Sequence, residues 1–177
     1  LLFTDRAITK GKNATSLHYR RNIILLIFGL IHAHLIWPGD ILVAYALCAF
    51  LVFLFRNRKP KRQLILGILF LSIHTFLYLF FDYAMQFTPE ESMNSAKSFW
   101  SPTEAMINDE INAYTGTLSE QIKQISKTAT QLETFVFFIL FFWRVTGLML
   151  LGMAFYKWGI LSAQKSNKFY TMSAILG

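Results

Sequence analysis

Apolar residues in this chain fall in unbroken blocks rather than along one face of an otherwise polar helix. Four blocks stand out: residues 23–37, 41–55, 64–81 and 132–156. A helix on the surface of a soluble domain keeps a polar side, and none of these blocks has one. Crossing about 30 Å of hydrocarbon takes some 17–25 residues, and the first two blocks lie at or below the short end of that range. The pattern predicts an all-α, polytopic membrane protein with four complete transmembrane helices. The leading Leu1–Phe3 reads as the tail of a preceding span and the closing Phe169–Gly177 as the first turns of a following one. On this reading residues 1–177 form one membrane domain within a longer chain. Blocks one and two make a hairpin, broken at Pro38-Gly39.

The polar segments between the blocks alternate in charge. Residues 4–21 hold Arg6, Lys10, Lys12, Arg20 and Arg21 against Asp5 alone, and residues 56–62 read RNRKPKR. Residues 157–168 carry Lys157, Lys165 and Lys168. The Pro38-Gly39 turn has no basic residue, and residues 82–131 are rich in Asp and Glu. Lys/Arg-rich loops stay cytoplasmic. This places 4–21, 56–62 and 157–168 inside a bacterial cell membrane and 82–131 outside. Within that outer stretch, residues 88–131 form a helical insertion. Thr88-Pro89-Glu90-Glu91, Ser101-Pro102-Thr103-Glu104 and Thr117-Leu118-Ser119-Glu120 each fit a capping box, and Gly116 marks a break. Ile107, Ile111, Tyr114, Leu118, Ile122, Ile125 and Leu132 recur at helical spacing, giving one or two amphipathic helices that lead into the fourth block. They serve either as a lid over the outer mouth or as a connector lying on the bilayer surface.

Composition agrees with the block pattern: 54% of residues are hydrophobic, 15% are charged, and 18 are Phe. The formal net charge of +7 sits beside apolar blocks and so points to loops on a membrane, not to nucleic acid. Cys48 is the sole cysteine, which excludes an internal disulfide. Asn13-Ala14-Thr15 matches a glycosylation sequon, by chance on a cytoplasmic loop. No Gly-rich phosphate loop, zinc spacing or nucleophile elbow occurs.

Candidate chemistry lies where ionisable groups enter the blocks, because such groups are costly in hydrocarbon. His32 falls about five residues, roughly 7–8 Å, below the outer end of its span. Gly29 leaves room for a neighbouring helix on its side, so His32 is expected to face inward. It serves either as a general base or as a hydrogen bond between helices. His34 points the other way, as an interfacial residue, and with His32 could bind a metal only with ligands from other elements; no metal site is expected. Asp40 opens the second span, where it can cap the helix and orient His32. Trp37 reads as an interface aromatic. Arg144 stands twelve residues into the fourth block, too deep to reach the surface. It is expected to face the interior and hold an anion, with His74 as its deep partner or as a bond across helices.

Arg20-Arg21, Gly29-Leu30-Ile31-His32, Trp37-Pro38-Gly39-Asp40-Ile41-Leu42, Tyr45-Ala46, Leu2–Ala7 with Gly11, and Arg144–Met153 running on to Trp158-Gly159 together resemble the YeiB-like family of bacterial multi-pass membrane proteins. The acidic outer segment carries no part of the resemblance. Members of that family share a domain of unknown function. Their architecture is similar to that of the membrane acyltransferase superfamily, which acylates extracytoplasmic sugars with an intramembrane histidine; the family has also been linked to transport. The resemblance implies an acyltransferase-like enzyme in which His32 acts as general base, oriented by Asp40, while Arg144 holds an anionic acyl donor; Trp37, His34 and His74 complete the expected substrate site. The alternatives are a transporter of a small anion or proton-coupled solute, using Arg144 and His74 or His32, and a structural membrane subunit. No cofactor beyond an acyl donor is expected, and the partners are the bilayer and a small-molecule, lipid or glycan substrate.

Overall fold

A computed structural model describes residues 2–89, 97 and 101–176. Every regular element among them is a helix: α1 (Leu2–Thr9), α2 (Ala14–Leu35), α3 (Leu42–Phe53), α4 (Pro60–Met85), α5 (Glu104–Thr115), α6 (Leu118–Gln131), a π-helical segment (Leu132–Phe141), α7 (Phe142–Lys157) and α8 (Asn167–Leu176). From α6 through α7 the chain is one uninterrupted rod, Leu118–Lys157, of 40 residues. Among the described residues, that rod and α4 are the two helices long and apolar enough to cross a membrane. The second block supplies a shorter element than expected. α3 has only 12 residues, about 18 Å at 1.5 Å per residue, because Leu54–Phe55 leave the helix in tight turns whose N–H groups bond Leu51 and Val52 carbonyls.

Packing orders the helices as α4, α7, α3, α2 and α6, each against the next. The α4–α7 contact depends on two glycines that face each other. A Cβ built on Gly67 would lie 3.0 Å from the Gly147 carbonyl, and one on Gly147 would lie 3.0 Å from the Gly67 carbonyl. Small residues at such crossings let backbones approach, and dispersion then acts over the whole seam. Ala46, Cys48, Leu150 and Ala154 are fully buried at the centre, as are the side chains of Gln63 and Thr146. Gln63 donates through Nε2 to the Phe55 carbonyl at 2.8 Å, which fastens the start of α4 to the end of α3, while its Oε1 has no partner among the described residues. Outward, large apolar residues such as Phe76 and Leu79 on α4 are two-thirds exposed, a surface that suits lipid and not water.

Local chemistry explains where the helices start. Asn13 caps α2 by accepting from the Ser16 N–H at 3.1 Å, which gives the apparent sequon a structural use. The second expected capping box starts later than the sequence reading places it. Thr103, not Ser101, is the cap of α5, with its hydroxyl accepting from Met106 N–H at 3.3 Å. The third is in place, with the Glu120 carboxylate accepting from both the N–H and the hydroxyl of Thr117 at 2.7 and 2.8 Å. The first, Thr88-Pro89-Glu90-Glu91, runs outside the described residues. Gly116 separates α5 from α6 as expected. Of α5 and α6, only α6 has buried residues, Ile125 and Ala129, and it packs on α2. It is therefore the direct extension of the rod.

The glycine seam yields a contrast. Gly147→Ala forces its methyl group against the Gly67 carbonyl and the Leu71 side chain and should lower thermal stability by about 1–3 kcal/mol. Gly152, whose Cβ would meet nothing within 4 Å, should gain up to about 1 kcal/mol as Ala from helix propensity. Equal melting shifts for the two variants in detergent would rule out the seam as described.

Candidate functional site

The C-terminal end of α2 presents two histidines to two different neighbours. His32 and His34 are separated by two residues, about 200° around the helix, so their rings diverge. His32 turns toward the hairpin. Its Nδ1 lies 3.0 Å from Asp40 Oδ1, while Asp40 Oδ2 accepts from the N–H groups of Leu42 and Val43 at 2.8 and 3.1 Å. The two roles open to Asp40 in the sequence are thus filled together, one by each oxygen. Its side chain is 4% exposed and that of His32 is 37% exposed, so a buried carboxylate backs an imidazole whose far edge is open. An ionised carboxylate only accepts. His32 therefore carries its proton on Nδ1, leaving the Nε2 lone pair free to take another. Trp37 lies edge-on to the ring, 6.4 Å between centroids. Its indole fits across the turn because residue 39 is glycine: a Cβ there would lie 2.7 Å from the ring.

His34, expected to be interfacial or to support the site from behind its direct contacts, turns toward the rod. Nδ1 lies 2.8 Å from Ser126 Oγ on α6, and Nε2 lies 3.2 Å from Glu133 Oε2 in the π-helical segment. With the acid accepting, Nε2–H donates to Glu133 and Nδ1 accepts from the Ser126 hydroxyl. This serine–histidine–acid chain has the order of a nucleophilic triad. Ser126 nevertheless sits mid-helix, where the backbone N–H groups around it serve α6 itself, so no pair of amides is offered to an oxyanion. The chain's effect is to tie α2, α6 and the π-helical segment at one point. π-Helical turns are rare and often accompany functional sites; this one places the Glu133 carboxylate beside α2. Glu133 Oε1 is buried with no partner among the described residues. Ser126 and Glu133 were missed in the sequence because they lie 92 and 99 residues from His34. The available signal was Glu133 itself, an acid at the second position of an apolar block.

Arg144 departs from expectation. It is exposed, on a face it shares with the exposed Phe141 and Leu148, and has no hydrogen bond or ion pair among the described residues. The face of α7 that α4 covers is instead that of Gly147 and Leu151, because only small and apolar residues permit the close seam. Nor does His74 meet Arg144 or bridge helices. Its Nδ1 is buried without a partner among the described residues, and its ring rests edge-on to Tyr78 of the same helix, 5.0 Å away. Of the expected site residues, the structure therefore joins His32, Asp40 and Trp37, joins His34 to a second cluster, and leaves Arg144 and His74 apart from both. No group of three or more metal-ligating side chains forms among the described residues.

Comparison with known proteins adds kinship without chemistry. Over 94 residues, 53% of its length, the chain is 43% identical to the uncharacterized protein YxaH of Bacillus subtilis (strain 168). Over 75 residues, 41% of its length, it is 43% identical to an uncharacterized 39.9 kDa protein in the amylase 3′ region of Bacillus acidopullulyticus. The matches span 22% and 21% of those two relatives. No family model and no solved structure matches the chain.

The His34–Glu133 contact makes a measurable claim. Glu133→Ala and His34→Ala should each lower stability by about 1.5–3 kcal/mol, the range for hydrogen bonds to charged groups. The double variant should cost clearly less than the sum. Strict additivity in thermal melts would show that the two side chains do not interact.

Proposed function

We propose that the chain is part of a multi-pass bacterial cell-membrane protein of the YeiB-like kind, acting as an acyltransferase-like enzyme at the extracytoplasmic half of the bilayer. The observation that carries this reading is the His32–Asp40 pair, in which a buried, doubly anchored carboxylate backs an imidazole with an open Nε2. In that role His32 takes the proton of a sugar or lipid hydroxyl as the hydroxyl oxygen attacks the donor's acyl carbonyl; the adduct collapses by breaking the bond between the acyl carbon and the donor's leaving group, which takes the proton back from His32 as it departs. Asp40 holds the tautomer and stabilises the imidazolium that forms. Trp37, exposed beside His32, offers a flat apolar surface to the acceptor. Arg144, exposed within its span and apart from the His32–Asp40 pair, takes no part in this step.

Four complete spans belong to this proposal: α2 and α3 cross alongside α4 and the rod, and the charge alternation sets the orientation. α3 is short for a full crossing, so the hairpin α2–α3 reaches the outer surface only with the bilayer thinned around it. The apolar faces left open on α4 and on the rod support the membrane setting. A transporter reading would require a polar path between His32 and Arg144. The separation of His74 from both leaves that path without an intermediate among the described residues.

Two measurements test the proposal. His32→Gln should remove an ester-linked acyl product, read by mass spectrometry of lipids and surface glycans from cells carrying the full-length protein. A general base supplies about 10²–10⁴-fold in rate. Asp40→Asn keeps a good helix cap while removing the charge, so it should lose activity without losing fold. An unchanged acyl-product profile in both variants contradicts the enzyme reading. For orientation, a cysteine at Thr115 should react with an impermeant thiol reagent on intact cells and one at Asn57 should not; the reverse pattern would invert the topology. Both positions are exposed, and the native Cys48 is buried.

A further inference from the structure

At the opposite end of the bundle from the histidine pair, the basic-loop ends of α1, α2, α3 and α7 line an open-sided cavity of about 300 Å³, the small end of the range for ligand sites. Val52, Met149 and Met153 make its walls apolar, while Arg56, His18 and Tyr156 bring polar groups to it. Gly152 lines this space, and a Cβ there would meet nothing within 4 Å. Gly147, one turn and a half away, is filled by α4, so the two glycines of α7 do different work. Methionine walls adapt to flexible apolar chains.

The polar side of the cavity is built for a negative charge. Arg56 lies with its guanidinium 4.0 Å above the Phe53 ring and is held by Thr15 Oγ1 at 3.1 Å and the Phe53 carbonyl at 3.4 Å. Those contacts occupy two of its five N–H groups, fixing the fork while leaving donors available. His18 is stacked on the other portion of the same cluster, 3.9 Å from Phe53 between ring centroids, and is bonded to Asn22 at 2.8 Å. Burial pushes its pKa below the ordinary value, and Arg56 and Arg21 push it the same way. His18 is thus a neutral hydrogen-bonding group at pH 7, and the fixed charge is that of Arg56. Tyr156 completes the rim, its hydroxyl donating to Asp5 at 3.1 Å. Arg58 and Lys59 follow directly on the loop and add to the positive field on this side, whereas Lys61 and Arg62 belong to α4 and do not line the cavity.

We infer that this cavity is a binding site for a phosphate-headed membrane lipid of the cytoplasmic leaflet, with one acyl chain laid along Val52, Met149 and Met153 and the phosphate at Arg56. Basic pockets between helices on the cytoplasmic side suit such head groups. The inference rests on the cytoplasmic placement of residues 56–62 in the reading above, and the two fail separately. Cysteine labelling at Asn57 tests the placement, whereas lipid retention does not depend on orientation.

The test uses the full-length protein in nanodiscs containing equal amounts of phosphatidylglycerol and phosphatidylcholine, followed by native mass spectrometry. The wild type should retain one phosphatidylglycerol in preference to phosphatidylcholine. Arg56→Gln should cut that retention about fivefold, the value of one basic contact near a membrane surface. Gly152→Phe should cut it as strongly by filling the cavity with Arg56 still present. Lys61→Gln, exposed on the same basic run but outside the cavity, should leave it unchanged. Gel filtration checks that each variant is folded, and if Gly152→Phe is not, Gly152→Leu replaces it. Equal retention of the two lipids, no effect of Arg56→Gln and the cavity-filling variant, or an equal loss with Lys61→Gln would each overturn the site.

Discussion

Backbone-to-backbone approach at Gly67 and Gly147 is the constraint from which the rest of the arrangement follows. With the two carbonyl-lined faces of α4 and α7 in contact, only the small and apolar side of α7 can be covered. Thr146, Leu150 and Ala154 therefore go inward, and Arg144 is carried to the outside. α3 then fits the next face of α7, and α2 fits α3 at Gly29, whose Cβ would lie 2.9 Å from the Val43 nitrogen. In a setting where hydrophobic burial does not drive helices together, close packing of this kind is what association has to rely on.

Polar groups sort to the two ends of that seam. At one end the rod continues past the bundle as α6 and reaches His34 through Ser126 and Glu133, while His32 turns to Asp40 and the hairpin. At the other, Lys157 donates to the carbonyls of Arg56 and Arg58, closing the loop between α3 and α4 beside a cavity ringed by Arg56, His18 and Tyr156. The interior between the ends is nearly free of charge. The molecule thus separates a carboxylate-backed base from a fixed cation by the length of its helices, a division that suits chemistry at one surface and recognition of an anionic group at the other.

Much of this was legible in the sequence, for identifiable reasons. Unbroken apolar blocks specify helices, and Asp40 directly after Pro38-Gly39 is close to His32 for any tight hairpin, so local spacing foretold that pair. Gly116 and the Thr117–Glu120 box likewise act within a few residues and were readable. Which side of the fourth block faces the bundle was not, because the block is apolar all round and carries no moment to orient it. Desolvation argued that Arg144 should turn inward, but the glycine seam fixed the rotation of the helix instead. The His34 cluster was out of reach for another reason: it joins residues nearly a hundred positions apart, and the π-helical segment that presents Glu133 has no sequence signature of its own. The cavity was hidden similarly, since Arg56 read as one of a run of basic loop residues and His18, 38 positions earlier, carried no signal linking it to that run.

The central claim is that Asp40 fixes His32 as a base with its free electron pair on Nε2. Solid-state nitrogen NMR of histidine-labelled protein in bilayers reads this directly, using His32→Gln to assign the signals. The account predicts that neutral His32 carries its proton on Nδ1, with an unprotonated Nε2, and that Asp40→Asn erodes this preference. A neutral His32 with the proton on Nε2, indifferent to residue 40, would contradict it.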